Sequence, residues 1–102
     1  MALKVIWSPE ALEDVESIAE YISRDSRFYA QATVSKIIDI TRQLTKFPQI
    51  GRILPEFHSK TFRELLVYSY RLVYKIERSK IIIVAVIHDK RSFGKVSERF
   101  DL

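Results

Sequence analysis

From residue 9 onward the apolar positions fall three and four apart. Ala11, Leu12, Val15, Ile18, Ala19 and Ile22 form one stripe, and Glu10, Glu13, Asp14, Glu16 and Glu20 lie mostly outside it. That is the pattern of a helix with one buried face and an acidic back. Its start is marked by Ser8-Pro9-Glu10, where serine caps the first turn, proline fits the first helical position and glutamate complements the dipole. The preceding apolar run, residues 3–7, suits a short buried strand. After a polar stretch at residues 23–27, in which Asp25 and Ser26 can each cap, a second helical period runs through Ala30, Val34, Ile37, Ile38, Thr41, Leu44 and Phe47 until Pro48 stops it. Two helices with so short a link fold back on each other as an antiparallel hairpin.

Beyond Pro48 the punctuation is dense. Residues 48–55 hold Pro48, Gly51 and Pro55 and predict an irregular connection leading to Glu56 and His58. From Phe62 the period changes to that of strands. Phe62–Val67, Tyr70–Ile76 and Lys80–His88 are rich in aromatic and β-branched residues and are separated by short polar breaks, which predicts an antiparallel meander. The expected architecture is therefore α+β, an N-terminal strand and helical hairpin packed on a small, mainly antiparallel sheet, in one domain spanning residues 1–102.

Register extends the prediction. If Arg78-Ser79 is a two-residue loop, Tyr74 faces Ile83, Leu72 faces Ala85 and Tyr70 faces Ile87, giving one apolar face to cover the helices. Arg71, Val73, Lys75, Ile82, Val84, Val86 and His88 then share the other face, an open and basic one, with His88 diagonal to Arg71. One additional residue would slip the register and invert the faces. For Phe62–Val67 the alternation does not choose a face, because each set of alternate residues contains one charge. The segment 92–102 is either a docked last turn of helix or a mobile tail.

Composition sharpens this picture. The 102 residues, 47% hydrophobic and without cysteine, describe one globular domain and exclude disulfides, thiolate metal sites and thiol catalysis. No segment reaches the roughly 20 apolar residues of a membrane helix, and the N-terminal apolar run is too short for a signal peptide, so a cytoplasmic address is expected. The net charge of +4 is unevenly placed: residues 1–51 carry 6 basic and 7 acidic side chains, residues 52–102 carry 11 and 6. A basic second half points to an acidic partner, either nucleic acid or an acidic protein segment, or to solubility alone.

The order of these elements resembles the RelE/ParE superfamily, the toxins of type II toxin-antitoxin pairs. The resemblance is carried by Trp7-Ser8-Pro9-Glu10-Ala11-Leu12-Glu13-Asp14, Phe47-Pro48 followed by Gly51-Arg52, Arg63-Glu64-Leu65-Leu66-Val67, Tyr70-Arg71-Leu72-Val73-Tyr74, and Val86-Ile87-His88. It implies a growth-arresting toxin neutralised by a cognate antitoxin. RelE-like and YoeB-like members cleave mRNA on the ribosome, whereas ParE-like members poison DNA gyrase. Glu56, Arg71 and His88 stand where the YoeB-like pattern has its acidic residue, arginine and histidine. The tyrosine that follows the histidine in that pattern is replaced by Asp89, and the long hairpin with Gly51-Arg52 looks more ParE-like.

Metal-free RNA cleavage needs a base for the 2′-hydroxyl, a cation for the phosphoryl oxygens and an acid for the leaving oxygen. Arg71 is the expected cation, and Glu56 and His88 the expected base and acid, with no metal or cofactor required. Lys60, Arg63, Lys75, Lys90, Arg91 and Lys95 are the expected nucleic-acid contacts. This set favours ribosome-dependent mRNA cleavage. The alternatives are gyrase inhibition and a toxin-like basic binding protein without activity. Against each role stands an ordinary structural one: a strand-end histidine, a loop glutamate, a solvated arginine and core tyrosines at Tyr68, Tyr70 and Tyr74. The helical hairpin also offers a groove for an antitoxin helix or strand.

Overall fold

The computed structural model describes residues 3–55, 60–88 and 96–99. The chain runs through strand β1 (Lys4–Trp7), helices α1 (Pro9–Ser23) and α2 (Arg27–Gln43), strands β2 (Arg52–Ile53), β3 (Phe62–Val67), β4 (Tyr70–Ile76) and β5 (Lys80–His88), and a 3-10 helix at Val96–Arg99. The five strands form one sheet in the order β1-β5-β4-β3-β2. Only β1 with β5 is parallel, and the other pairs are antiparallel. The expected α+β architecture is the observed one.

The helix starts follow the capping chemistry. Ser8 accepts from the Ala11 N–H at 3.1 Å and Ser26, not Asp25, accepts from the Tyr29 N–H at 3.2 Å, each cap contributing about 1 kcal/mol. Ser8 also ties α1 to the sheet, because its N–H donates to the Ile83 carbonyl at 3.0 Å. The stripe is narrower than the spacing implied: Ala11 is fully buried, while Leu12 stays half exposed. In α2 the residues facing the sheet are Ala30, Thr33, Ile37 and Thr41, followed by the buried Leu44, and Phe47 stays exposed. The connection after Pro48 is less irregular than expected, since Arg52–Ile53 pairs with β3 as an edge strand.

Two apolar clusters flank the sheet. On the helix side Ala11, Ile37, Leu44, Leu72, Tyr74 and Ile83 form the main core. On the opposite side Leu54, Phe62, Val73, Val84, Ala85 and Ile87 are buried together. The expectation of an open basic face there is corrected: among the described residues this face is largely apolar and buried, and its charged groups include Glu64 and Arg71, which pair with each other.

The register explains why. The two-residue loop forms, with the Glu77 N–H donating to the Lys80 carbonyl at 2.9 Å, and Tyr74 does face Ile83. Between Tyr74 and Val73 the pairing then shifts, so that Val73 faces Ala85, Leu72 faces Val86, Arg71 faces Ile87 and Tyr70 faces His88. Val84 is the extra residue of a β-bulge, and every β5 side chain after it changes face.

The bulge is held from outside the sheet. Asp14 of α1 accepts from the Val86 N–H at 3.0 Å and from both terminal nitrogens of Arg99, at 2.6 and 3.1 Å. Arg99 also donates to the Val84 carbonyl at 3.3 Å. Of the two fates expected for the C-terminal segment, residues 96–99 take the docked one.

Candidate functional site

A carboxylate between two guanidinium groups dominates the sheet face away from the helices. Register places Arg52 beside Glu64 on neighbouring strands, and Arg71 reaches the same carboxylate from β4. Glu64 Oε1 accepts from Arg71 Nε at 2.6 Å, and Oε2 accepts from Arg52 Nε. Glu64 is 1% exposed and Arg71 8% exposed, so the pair is withdrawn from water, while most of Arg52 remains solvated. A buried charge survives only when paired and hydrogen-bonded; Glu64 is so held from two sides. Alternation alone did not single out Glu64, but a charge inside a β-branched and aromatic run was the available signal.

Gly51-Arg52 acquires a physical reason here. A Cβ on Gly51 would stand 2.6 Å from the Glu64 carbonyl oxygen and 2.7 Å from the Tyr74 hydroxyl, so only glycine lets the connection lie against β3 and β4. The fully buried Tyr74 hydroxyl accepts from the Gly51 N–H at 2.9 Å and donates to the Pro48 carbonyl at 2.7 Å. Burial raises the Tyr74 phenol above its usual 10.0, with the Gly51 hydrogen bond and Arg63 opposing. Arg52, one residue on, reaches Glu64.

The expected base and guanidinium are not brought together. Arg71 lies on the outer face opposite Ile87, whereas His88 pairs with Tyr70 on the helix face, its ring edge-to-face with that tyrosine at 5.6 Å between centroids. The bulge at Val84 separates them. Glu56 falls outside the described residues, as do His58, Lys90, Arg91 and Lys95.

The remaining expected nucleic-acid contacts are dispersed. Lys60 is exposed at the entrance to β3. Arg63 turns to the connection, its Nη1 donating to the Gly51 carbonyl at 2.8 Å. Lys75 is half-buried, 3.5 Å from a Glu77 carboxylate oxygen and 5.7 Å from the centre of the Phe62 ring. Among the described residues there is no group of three or more His, Cys, Asp or Glu that could hold a metal ion, and no helix is long and apolar enough to cross a membrane.

His88 instead lines a cleft of about 670 Å³ between α1 and the β3-β4 turn. Tyr21 and Tyr68 are 67% and 65% exposed, and with Tyr70 they surround a floor that includes Ile18 and Val86. Burial, and secondarily Tyr21, raises the Tyr70 phenol above 10.0. Tyr68 sits at φ 56°, in the left-handed region that a bulky residue rarely adopts.

The chain is thus a helical hairpin on a mixed sheet, with a glycine-arginine connection and a β4 arginine tied to a buried glutamate. The family described as "ParE toxin of type II toxin-antitoxin system, parDE" matches residues 5–93, and the chain belongs to this ParE/RelE family. It is 29% identical over 89 residues to Toxin RelE2 of Caulobacter vibrioides, covering 86% of this chain and 97% of that one. Two solved structures share its fold. One, described as the chromosomal ParDE TA system from P. aeruginosa, aligns with a TM-score of 0.70 and 17% identity over 85% of this chain and 96% of that one. The YoeB dimer from Staphylococcus aureus aligns with a TM-score of 0.62 and 20% identity over 86% and 98%. As a type II toxin the protein has a cognate antitoxin as partner.

Proposed function

We propose that this toxin arrests growth by binding DNA gyrase, in the manner of the ParE-like branch, and not by cutting mRNA. The observation that carries the reading is the separation of Arg71 from His88 on opposite sheet faces. General acid-base cleavage needs base, acid and phosphate-binding cation within hydrogen-bond reach of one scissile group. An arginine 8% exposed and bonded to Glu64 serves the fold in the way that a structural ion pair does. A toxin that poisons by binding needs surface, and this chain supplies it as exposed aromatic and aliphatic side chains on a stable scaffold. The excess positive charge of residues 52–102 is the complement offered to an acidic segment of the antitoxin.

The test adds antitoxin-free protein in parallel to gyrase with supercoiled DNA and to translating ribosomes with mRNA. Loss of supercoiling activity with trapped gyrase cleavage complexes is the expected result. Codon-phased cuts in the mRNA, with gyrase untouched, would overturn the reading and restore Glu56, Arg71 and His88 as the acid-base set.

A further inference from the structure

We propose that the cleft between α1 and the β3-β4 turn is where this toxin grips its protein target, and that it takes a basic segment bearing an apolar or aromatic anchor side chain. The inference rests on the binding-poison reading above and names the surface that does the binding.

Three observations support it. The first is shape and chemistry: an apolar floor at Ile18 and Val86 under the rings of Tyr21, Tyr68 and Tyr70, with the Ser17 and Ser69 hydroxyls at the margin. Tyrosine with short hydroxyl side chains is the composition of surfaces that anchor a partner's apolar group at low entropic cost.

The second is charge. No lysine or arginine is among the described residues lining the cleft, so those residues offer a phosphate backbone none of the counter-charge that dominates nucleic-acid affinity. Helix α1, which forms one wall, contains five acidic residues and no basic one. Asp14 is neutralised by Arg99 and Glu20 lies 3.9 Å from Arg24, which leaves Glu10, Glu13 and Glu16 exposed. One wall of the cleft thus belongs to an acidic helix in a chain whose net charge is +4, although those glutamates flank the lining and do not form it; complementarity then favours a basic segment.

The third is Tyr68 itself. Its φ of 56° is the conformation glycine adopts without strain, yet a tyrosine stands there, 65% exposed at the cleft rim. The two-residue turn between the paired Val67 and Tyr70 requires a positive φ at this position; what needs a reason is a tyrosine where glycine would be unstrained, with no burial of its ring in this chain to offset the cost.

The strain also provides the test. Tyr68→Gly removes the ring and relaxes the backbone, so the melting temperature should hold or rise. Tyr21→Ser removes the second exposed ring, and Tyr29→Ser, an exposed tyrosine on α2 outside the cleft, is the control. Each variant is assayed for growth arrest on induction, for antitoxin binding and for gyrase inhibition. The expected result is that Tyr68→Gly and Tyr21→Ser, folded and still neutralised by antitoxin, lose about tenfold or more in potency, while Tyr29→Ser does not.

Unchanged potency in both cleft variants would overturn the cleft and leave gyrase inhibition standing. If wild type leaves gyrase untouched, the target reading fails. Growth arrest then judges the cleft alone, a tenfold loss in the variants supporting it and full arrest overturning it. NMR titration with a lysine-rich peptide carrying one leucine, against a single-stranded oligonucleotide, separates the partner classes. Shifts at Tyr21 and Tyr68 from the peptide are expected, and shifts from the oligonucleotide alone would overturn the choice of a protein segment.

Discussion

Arg71 and His88 stand on neighbouring strands and point to opposite sides of the sheet, because β5 carries one residue more than β4 between Ile83 and Ala85. The bulge is braced by Asp14, which accepts from the Val86 N–H and binds Arg99. A carboxylate on the first helix therefore helps decide which face the last strand presents.

Asp14→Ala should lower stability by about 2 kcal/mol, a fall of roughly 10 °C in melting temperature, because the Val86 N–H and the Arg99 guanidinium lose their shared acceptor. The Arg99 pKa is raised chiefly by its hydrogen bond to Asp14, so the clamp persists well into alkaline conditions. Arg99→Ala should cost about half as much, since its side chain is a quarter exposed and Asp14 keeps the Val86 N–H. Thermal melts by circular dichroism compare the two.

Gly51→Ala should cost about 2 to 3 kcal/mol, because its Cβ would stand 2.6 Å from the backbone oxygen of Glu64, which cannot move aside. Tyr74→Phe should cost about 1 to 2 kcal/mol by leaving the Gly51 N–H and Pro48 carbonyl without their partner. Combined, the two should lose less than their sum by about 1 kcal/mol, since removing the hydroxyl opens part of the space that the alanine needs. A double-mutant cycle by urea denaturation measures the coupling.

The tyrosines also set an alkaline limit. Tyr74 and Tyr70 have folded-state pKa values raised above 10.0 by burial. Below that value both folded and unfolded chains keep the phenol proton. Above it the unfolded chain releases the proton first, so stability falls as pH rises toward the folded values. Urea midpoints measured from about pH 9 to about pH 11 should fall less steeply for Tyr74→Phe than for wild type, with Tyr70 contributing part of the remaining slope.

Glu64→Gln should destabilise by about 3 kcal/mol, because the Arg71 charge loses the carboxylate that compensates its burial. Arg52→Ala should cost under about 1 kcal/mol, its side chain being 66% exposed. Equal losses in urea denaturation would show that the two arginines share the carboxylate evenly, against the difference in their burial.

Local signals proved readable where one residue's chemistry acts on its nearest neighbours. Ser8-Pro9 starts a helix and Arg78-Ser79 closes a hairpin, each through dihedral preference or a single hydrogen bond, whereas α2 ends at Gln43, short of the stop expected at Pro48. Glu64 was harder to place because a glutamate in a strand faces water unless something distant neutralises it, and its partners stand 12 residues before and 7 after it. A regular register puts His88 on the outer face, and the bulge that turns it to the helix face leaves no trace in the sequence because Val84, Ala85 and Val86 are all apolar.

The chain alone determined the two helices, four of the five strands, their order, the Ser8 cap, the basic second half and the resemblance that the family match bears out, since periodicity, capping and charge are properties of neighbouring residues. Tertiary structure alone decided that Glu64 is buried between Arg52 and Arg71, that Gly51 makes room for Tyr74, and that His88 joins three tyrosines rather than Arg71. Those outcomes depend on contacts such as Asp14 with Val86, 72 residues apart. A bulge costs ladder hydrogen bonds locally, and only a partner from elsewhere in the fold restores them.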